Sequence, residues 1–222
     1  MTFWRKVFAI TWKDVLSEFR AREIITSVLV FTILVIIIFN FAFGERVEMV
    51  AVAPGMLWVT FTFAGVLSLN RSFILEKEDG CFEGLLVSPA SRDVIYTGKM
   101  LASLVFLLVI EAIALPVFAF LFNLTVLTPE ITAITLLATI GFVACGTLFS
   151  ALATNTKARE LVLPILFLPV VVPVIIGAVN ASELALSGKS WGDMTGWLGI
   201  LAAFDVVFLT VAYLVFDYVI EE

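Results

Sequence analysis

Six long apolar stretches, separated by shorter polar ones, dominate the pattern of residues along this chain. A helix needs about 20 mostly apolar residues to cross a hydrocarbon core of ~30 Å. The stretches that reach this length are 24–43, 49–69, 100–122, 131–153, 161–179 and 197–216. Each is predicted to be a helix, because an open strand would leave backbone N–H and C=O groups unpaired in lipid. The sequence therefore predicts an all-α membrane protein, with residues 1–222 forming one transmembrane domain of six spanning helices.

The composition supports a membrane protein and excludes several chemistries. Hydrophobic residues make up 62% of the 222 residues and charged residues only 14%, where a soluble domain carries about 25% charged residues. Histidine is absent, which excludes a Ser-His-Asp triad, an HExxH zinc site and a histidine haem ligand. Cys81 and Cys145 form no CxxC pair, and we expect no disulfide between them. No GxxxxGK[ST] phosphate loop occurs, so ATP hydrolysis would require a partner, and we expect no catalytic or metal-binding residues.

The distribution of basic residues predicts the orientation of the chain. Eleven of the 13 Lys and Arg residues lie before the first span, between the second and third, or between the fourth and fifth. Only Arg46 and Lys189 lie on the other side. Because cytoplasmic loops carry the excess of Lys and Arg, both termini are predicted to be cytoplasmic, in a multi-pass protein of the cell (inner) membrane.

Residues 1–22 carry an aromatic and apolar stripe at helical spacing. Its members are Trp4, Phe8, Trp12, Val15 and Phe19, and basic residues occupy other parts of the helical wheel. This pattern is typical of an amphipathic helix in the headgroup region. An alternative interpretation, in which the helix packs on a cytoplasmic protein, stays open.

The longest polar connection, residues 70–99, is predicted to be a cytoplasmic docking segment for another protein. Its pattern favours a helix bent or broken near Gly80 and a second helix that starts near Ser91. Apolar residues in an aqueous compartment favour docking, with helix-in-groove contact as the expected mode. The alternative is a loop whose apolar residues fold back onto the membrane. The candidate coupling residues are Phe73, Glu76, Glu78, Gly80, Phe82, Glu83, Gly84, Leu85 and Leu86.

The fourth and fifth spans contain residues that affect helix geometry and packing. Pro164, Pro169 and Pro173 each remove a backbone donor, so the fifth helix is expected to be kinked or broken. Such a break can line a transport pathway, although a bent helix satisfied by its neighbours is an equal alternative. In the fourth span, small residues that include Gly141 and Cys145 predict close helix contacts, with Cys145 as a packing residue.

Two acidic residues fall near the middle of predicted spans. Glu111 lies in the third span and Asp205 in the sixth, both at a depth of ~12–17 Å. No Lys or Arg lies within any of the six predicted spans. Ionisable residues at this depth usually face a bundle interior or a wet cavity. Two interpretations stay open: a polar lining that a substrate or proton meets, or a protonated carboxyl bonded to a backbone carbonyl.

Three stretches, in the same order along the chain, carry a resemblance to a known family. Residues 78–99 read EDGCFEGLLVSPASRDVIYTGK, residues 159–179 read RELVLPILFLPVVVPVIIGAV, and residues 197–222 read WLGILAAFDVVFLTVAYLVFDYVIEE. These stretches resemble the haem exporter protein B (CcmB) family, and the first is similar to the family's E-x-G-x-x-E-x-L-L-x-(S/A)-P…R…I-Y-x-(G/A)-K segment. The resemblance runs over nearly the whole length of the chain.

This resemblance implies a permease subunit of the ABC-2 exporter type in the cytochrome c maturation transporter, acting as a homodimer. Its partners would be a cytoplasmic ATPase (CcmA) that binds ATP, the membrane proteins CcmC and CcmD, and the haem chaperone CcmE, with no nucleic acid. ATP hydrolysis would drive haem export or release of the haem-loaded chaperone. The chain would hold no cofactor, since Met194 is only a weak haem ligand. The tryptophan-rich motif WGxxWxWD, with which a partner protein of the complex handles haem, is absent from this chain.

Three other functions stay open at this point. The chain could serve an ABC-2 exporter of another amphiphile, such as a lipid, a polysaccharide precursor or a drug. It could be an ion- or proton-coupled carrier that uses Glu111 and Asp205, although no inverted repeat is visible in the sequence. It could also be a membrane scaffold.

Overall fold

A computed structural model of the chain describes residues 2–20, 23–43, 48–78, 91–153 and 159–221. The described residues form seven helices and no strand. The helices are α1 (Phe3–Arg20), α2 (Glu23–Phe43), α3 (Met49–Glu78), α4 (Arg92–Phe122), α5 (Pro129–Ala153), α6 (Arg159–Leu186) and α7 (Trp191–Glu221). Helices α2 to α7 are long and apolar enough to cross a membrane. The all-α class and the six spans predicted from the sequence are therefore confirmed.

Several helices run beyond the predicted spans. The fifth span was predicted to end at 179 and the sixth to begin at 197, but α6 continues to Leu186 and α7 starts at Trp191. The turn between them places Gly188 at φ +70°, a left-handed conformation that glycine adopts without steric cost. Asp193 then accepts hydrogen bonds from the Ser190 backbone N–H at 3.0 Å and from its hydroxyl at 2.8 Å. Hydropathy marks the apolar part of a helix, whereas these local hydrogen bonds set where the helix ends.

Helix α5 is the centre of the bundle and contacts α3, α4, α6 and α7. Its small residues permit this close packing. A Cβ at Gly146 would collide with a Leu69 methyl group of α3, and the Ser150 hydroxyl donates to the Leu69 carbonyl at 3.3 Å. Cys145 is fully buried in the core cluster. The predicted small-residue packing of this helix, with Cys145 as a packing residue, is confirmed.

Helix α6 is not broken by its three prolines. Pro164, Pro169 and Pro173 all lie inside one continuous helix from Arg159 to Leu186, so the expected break is wrong, whereas the expected kink stays a prediction. Each proline removes only one backbone hydrogen bond, and the contacts of α6 with α3, α5 and α7 support the helix on its packed side. Pro169 and Pro173 lie on the exposed face of α6. Their rings therefore do not displace a neighbouring helix.

Candidate functional site

The carboxyl group of Glu111 is buried at the meeting point of α3, α4, α5 and α6. Its side chain is 5% exposed, and the Thr139 hydroxyl of α5 lies 2.8 Å from Oε1 and 3.0 Å from Oε2. The group borders a small cavity with room for about one water molecule. The cavity is lined by Trp58, Phe61, Thr62, Leu107, Glu111, Ala138, Thr139, Phe142, Val174 and Ile175. Glu111 is the one ionisable residue among these ten, so its carboxyl faces an apolar and hydroxyl-bearing surface.

The carboxyl group of Asp205 is buried between α7 and α5. Asp205 is 6% exposed, and a Cβ added to Gly141 would collide with its Oδ1. Within the part of the chain that the structure describes, this buried Oδ1 has no hydrogen bond of ordinary geometry. Gly141 therefore permits the close approach of Asp205 to the α5 backbone.

The two acidic residues lie at the same depth but on different sides of α5. Glu111 contacts Thr139, whereas Asp205 contacts Gly141, two residues further along the same helix. A two-residue step rotates a helix by about 200° and advances it by only ~3 Å. The structure therefore buries both carboxyls at similar levels along α5, but it does not join them into one polar lining.

The start of α4 is a junction of four helices that sequence reasoning missed. The Tyr96 hydroxyl donates to the Ala144 carbonyl of α5 at 2.9 Å, and the Tyr96 ring packs on Phe216 of α7 at 5.1 Å. The Thr11 hydroxyl of α1 donates to the Gly98 carbonyl at 3.0 Å. These contacts attach the first turns of α4 to α5, α7 and α1 together.

A buried ion pair completes the junction between α1 and α4. Lys99 Nζ lies 3.6 Å from Asp14 Oδ2, and its side chain is only 2% exposed. Lys13 also approaches Asp14, at 2.9 Å. The sequence carried a signal for this pair, since Asp14 interrupts the basic α1 and Lys99 borders an apolar span. Their partnership could not be read from the sequence because 85 positions separate them.

Helix α1 presents its aromatic stripe away from the bundle. Trp4, Phe8 and Trp12 are 70%, 67% and 58% exposed, whereas Val7 and Ile10 on the other side are buried. The amphipathic helix predicted for residues 1–22 is therefore present as α1, and its inner face packs on α4. Whether its outer face meets lipid headgroups or a cytoplasmic protein stays a prediction.

The candidate coupling residues lie at or beyond the end of α3. Phe73, Glu76 and Glu78 belong to the last turns of this helix. The other six, Gly80, Phe82, Glu83, Gly84, Leu85 and Leu86, lie outside the described residues. The predicted bend near Gly80 also falls there, whereas the predicted second helix does start at Arg92, directly after Ser91.

No cluster of three or more metal-ligating side chains occurs in the ranges that the structure describes. Met194, the weak haem ligand considered from the sequence, is fully buried in the first turn of α7.

Comparison with known proteins identifies the family. The family model for the CcmB protein matches residues 5–221, from the first turn of α1 to the end of α7. The chain belongs to the CcmB protein family.

Curated members of the CcmB family align with most of this chain. Heme exporter protein B of Pseudomonas aeruginosa is 30% identical over 187 residues, which cover 83% of this chain and 84% of the relative. Heme exporter protein B of Bradyrhizobium diazoefficiens is 29% identical over 184 residues, with 82% of each chain covered. The protein of the same name from Rhodobacter capsulatus is 34% identical over 152 residues, with 67% of this chain and 69% of the relative covered.

Proposed function

We propose that this CcmB-family chain is the membrane permease subunit of an ABC transporter that serves haem export in cytochrome c biogenesis. The observation that carries this proposal is the family match over residues 5–221, together with six helices able to span a membrane. Relatives that cover most of the chain are named heme exporter protein B. The permease lies in the inner membrane with both termini in the cytoplasm, since eleven of 13 basic residues fall on that side.

Energy for transport comes from a partner ATPase of the CcmA type, because the chain has no phosphate loop. The ATPase docks on the segment from Phe73 to Leu86, whose apolar residues fill a groove while its acidic residues meet basic groups at the rim. This segment begins in the last turns of α3, which ends at Glu78, and it precedes α4, which starts at Arg92.

Movement at the docking segment enters the membrane through α4. Tyr96 and Lys99 lie in the first turns of this helix and bind it to α5 and α1. A push on the start of α4 therefore displaces several helices together, because packed and hydrogen-bonded contacts transmit strain instead of absorbing it. Because its start is held by these contacts, α4 is better suited than the more exposed helix α2 to transmit movement from the ATPase to the other helices.

The transported species or released partner is handled by the assembled complex, which includes a second copy of this chain, CcmC, CcmD and the haem chaperone CcmE. The cavity beside Glu111 has room for about one water molecule, so a haem group could pass there only if the surrounding helices separate. Glu111 and Asp205 provide two separate polar positions on either side of α5 that such a separation would expose.

The test of this function is a double substitution in the docking segment. In Phe82→Ala with Leu85→Ala, we expect normal insertion but loss of the co-purified ATPase and of cytochrome c maturation. Truncation of buried apolar anchors costs ~2 kcal/mol or more, which corresponds to at least a tenfold loss of affinity.

The matched control removes the same two residue types from the opposite end of the bundle. Phe120 and Leu127 are both exposed, at the end of α4 and just after it, and Phe120→Ala with Leu127→Ala should retain the ATPase. If the docking variant holds its ATPase as tightly as the wild type, the docking site lies elsewhere. If no ATPase or haem chaperone co-purifies with the unaltered chain, the proposed function is wrong.

A further inference from the structure

A groove runs between the first turns of α1 and the start of α4. It is lined by Trp4, Arg5, Val7, Phe8, Thr11 and Leu101, and its volume is about 480 Å³. Sites for small molecules typically measure roughly 300–1,000 Å³. Val7 is buried in the floor, whereas Trp4 and Phe8 are mostly exposed. The groove is thus a preformed apolar trough with exposed aromatic side chains at its rim.

The length of α4 favours a position for the groove at the boundary between hydrocarbon and headgroups. Helix α4 has 31 residues and ends at Phe122, and a 30 Å hydrocarbon core takes up about 20 of them. Counting about 20 residues back from Phe122 leads to Leu101, which lines the groove. This count predicts that the turns of α4 before Leu101, and with them α1, lie in the headgroup region.

The groove combines an apolar surface with one positive charge. Arg5 is the one charged residue among the six that line it, and its side chain is exposed. The Thr11 hydroxyl already donates to the Gly98 carbonyl at 3.0 Å. Arg5 therefore provides the cationic group of the lining, and a guanidinium matches the geometry of a phosphate.

We propose that this groove binds one anionic phospholipid of the leaflet that faces α1. The phosphate binds to Arg5, the glycerol region lies beside the Trp4 indole, and the first part of an acyl chain packs against Phe8 and Leu101. An apolar trough that ends at a cation, placed at headgroup depth, complements a phospholipid in both polarity and charge. None of the six lining residues belongs to the segment from Phe73 to Leu86, so the proposal does not rest on the proposed docking of an ATPase.

The experiment measures lipid retention by the full-length chain. The protein is reconstituted in nanodiscs that contain equal amounts of phosphatidylglycerol and phosphatidylcholine, and the retained lipids are then identified by native mass spectrometry. We expect one retained phosphatidylglycerol per chain. Arg5→Gln should reduce its retention about fivefold, the factor that corresponds to ~1 kcal/mol for one basic residue near a membrane surface. Leu101→Trp should also reduce it, because the larger ring fills the trough without changing the charge.

The matched control is Lys6→Gln, which removes one positive charge from the same turn of α1 but from a residue outside the groove lining. This variant should retain the lipid as the wild type does. Equal losses in Arg5→Gln and Lys6→Gln would indicate diffuse attraction to the basic helix and would overturn the proposal. Equal retention of phosphatidylcholine, or displacement of the lipid by inorganic phosphate alone, would also overturn it.

Discussion

The contact between Gly98 and α1 allows a sharp test of how α1 is held on the bundle. A Cβ built at Gly98 would lie 2.8 Å from both Cβ and Cγ2 of Ile10, where carbon atoms normally rest about 3.5–4.0 Å apart. The Ile10 Cβ is rigidly attached to the backbone of α1. We therefore expect Gly98→Ala to push α1 away from α4 by about 1 Å instead of turning a side chain aside.

The cost of Gly98→Ala follows from three contributions. Overpacking costs about 1–3 kcal/mol, and the Thr11 hydrogen bond to the Gly98 carbonyl, now 3.0 Å long, contributes ~1 kcal/mol that would be weakened or lost. In the opposite direction, alanine in place of glycine stabilises the helix by ~1 kcal/mol through its higher helix propensity. The net destabilisation of the α1–α4 contact is therefore ~1–3 kcal/mol, which corresponds to an increase of about 5- to 150-fold in the detached population of α1.

Limited proteolysis within α1 measures this detached population when opening and closing are fast relative to cleavage. The matched control is Gly55→Ala in α3, where a new Cβ meets nothing within 4 Å; it should be cleaved at the wild-type rate. Ile10→Ala should not rescue Gly98→Ala fully, because the Ile10 Cβ would still be too close. Equal cleavage of the Gly98 and Gly55 variants would refute the close contact between α1 and α4.

Two further predictions concern the buried acid and the orientation of the chain. Glu111→Gln keeps an oxygen that can accept a hydrogen bond from Thr139, so it should preserve cytochrome c maturation better than Glu111→Leu. Both variants should insert normally, because neither adds a charge to lipid. Equal and full activity of the two variants would reduce Glu111 to a packing residue. Single cysteines that replace Leu127 or Ser187, both exposed, should react with a membrane-impermeant thiol reagent in intact cells. A single cysteine that replaces Glu222 should react only after permeabilisation. Any other labelling pattern contradicts the topology.

The six spans could be predicted because hydropathy over about 20 residues is a local property. A bilayer requires long apolar helices wherever they occur in the sequence. The depth of Glu111 and Asp205 follows from the same count, since each helix advances by a constant rise per residue. The start of α4 after Ser91 could also be predicted from the sequence, because Pro89 and Ser91 are local signals for a helix boundary.

Other features depended on contacts between residues that are distant in sequence. The attachment of Asp14 to Lys99, and the separation of Glu111 from Asp205 by α5, required knowledge of which faces of the helices meet. Helix α6 remains continuous through three prolines, although proline propensity alone allowed a break.

The sequence by itself thus determined the class and the number of spans, because these depend on one helix and its solvent. Only the tertiary structure decided the partner of each polar residue and the position of α1 on α4. In lipid, apolar faces are nearly equivalent to one another, so the packing of small residues such as Gly141 and Gly146, together with a few hydrogen bonds, selects which helices come into contact.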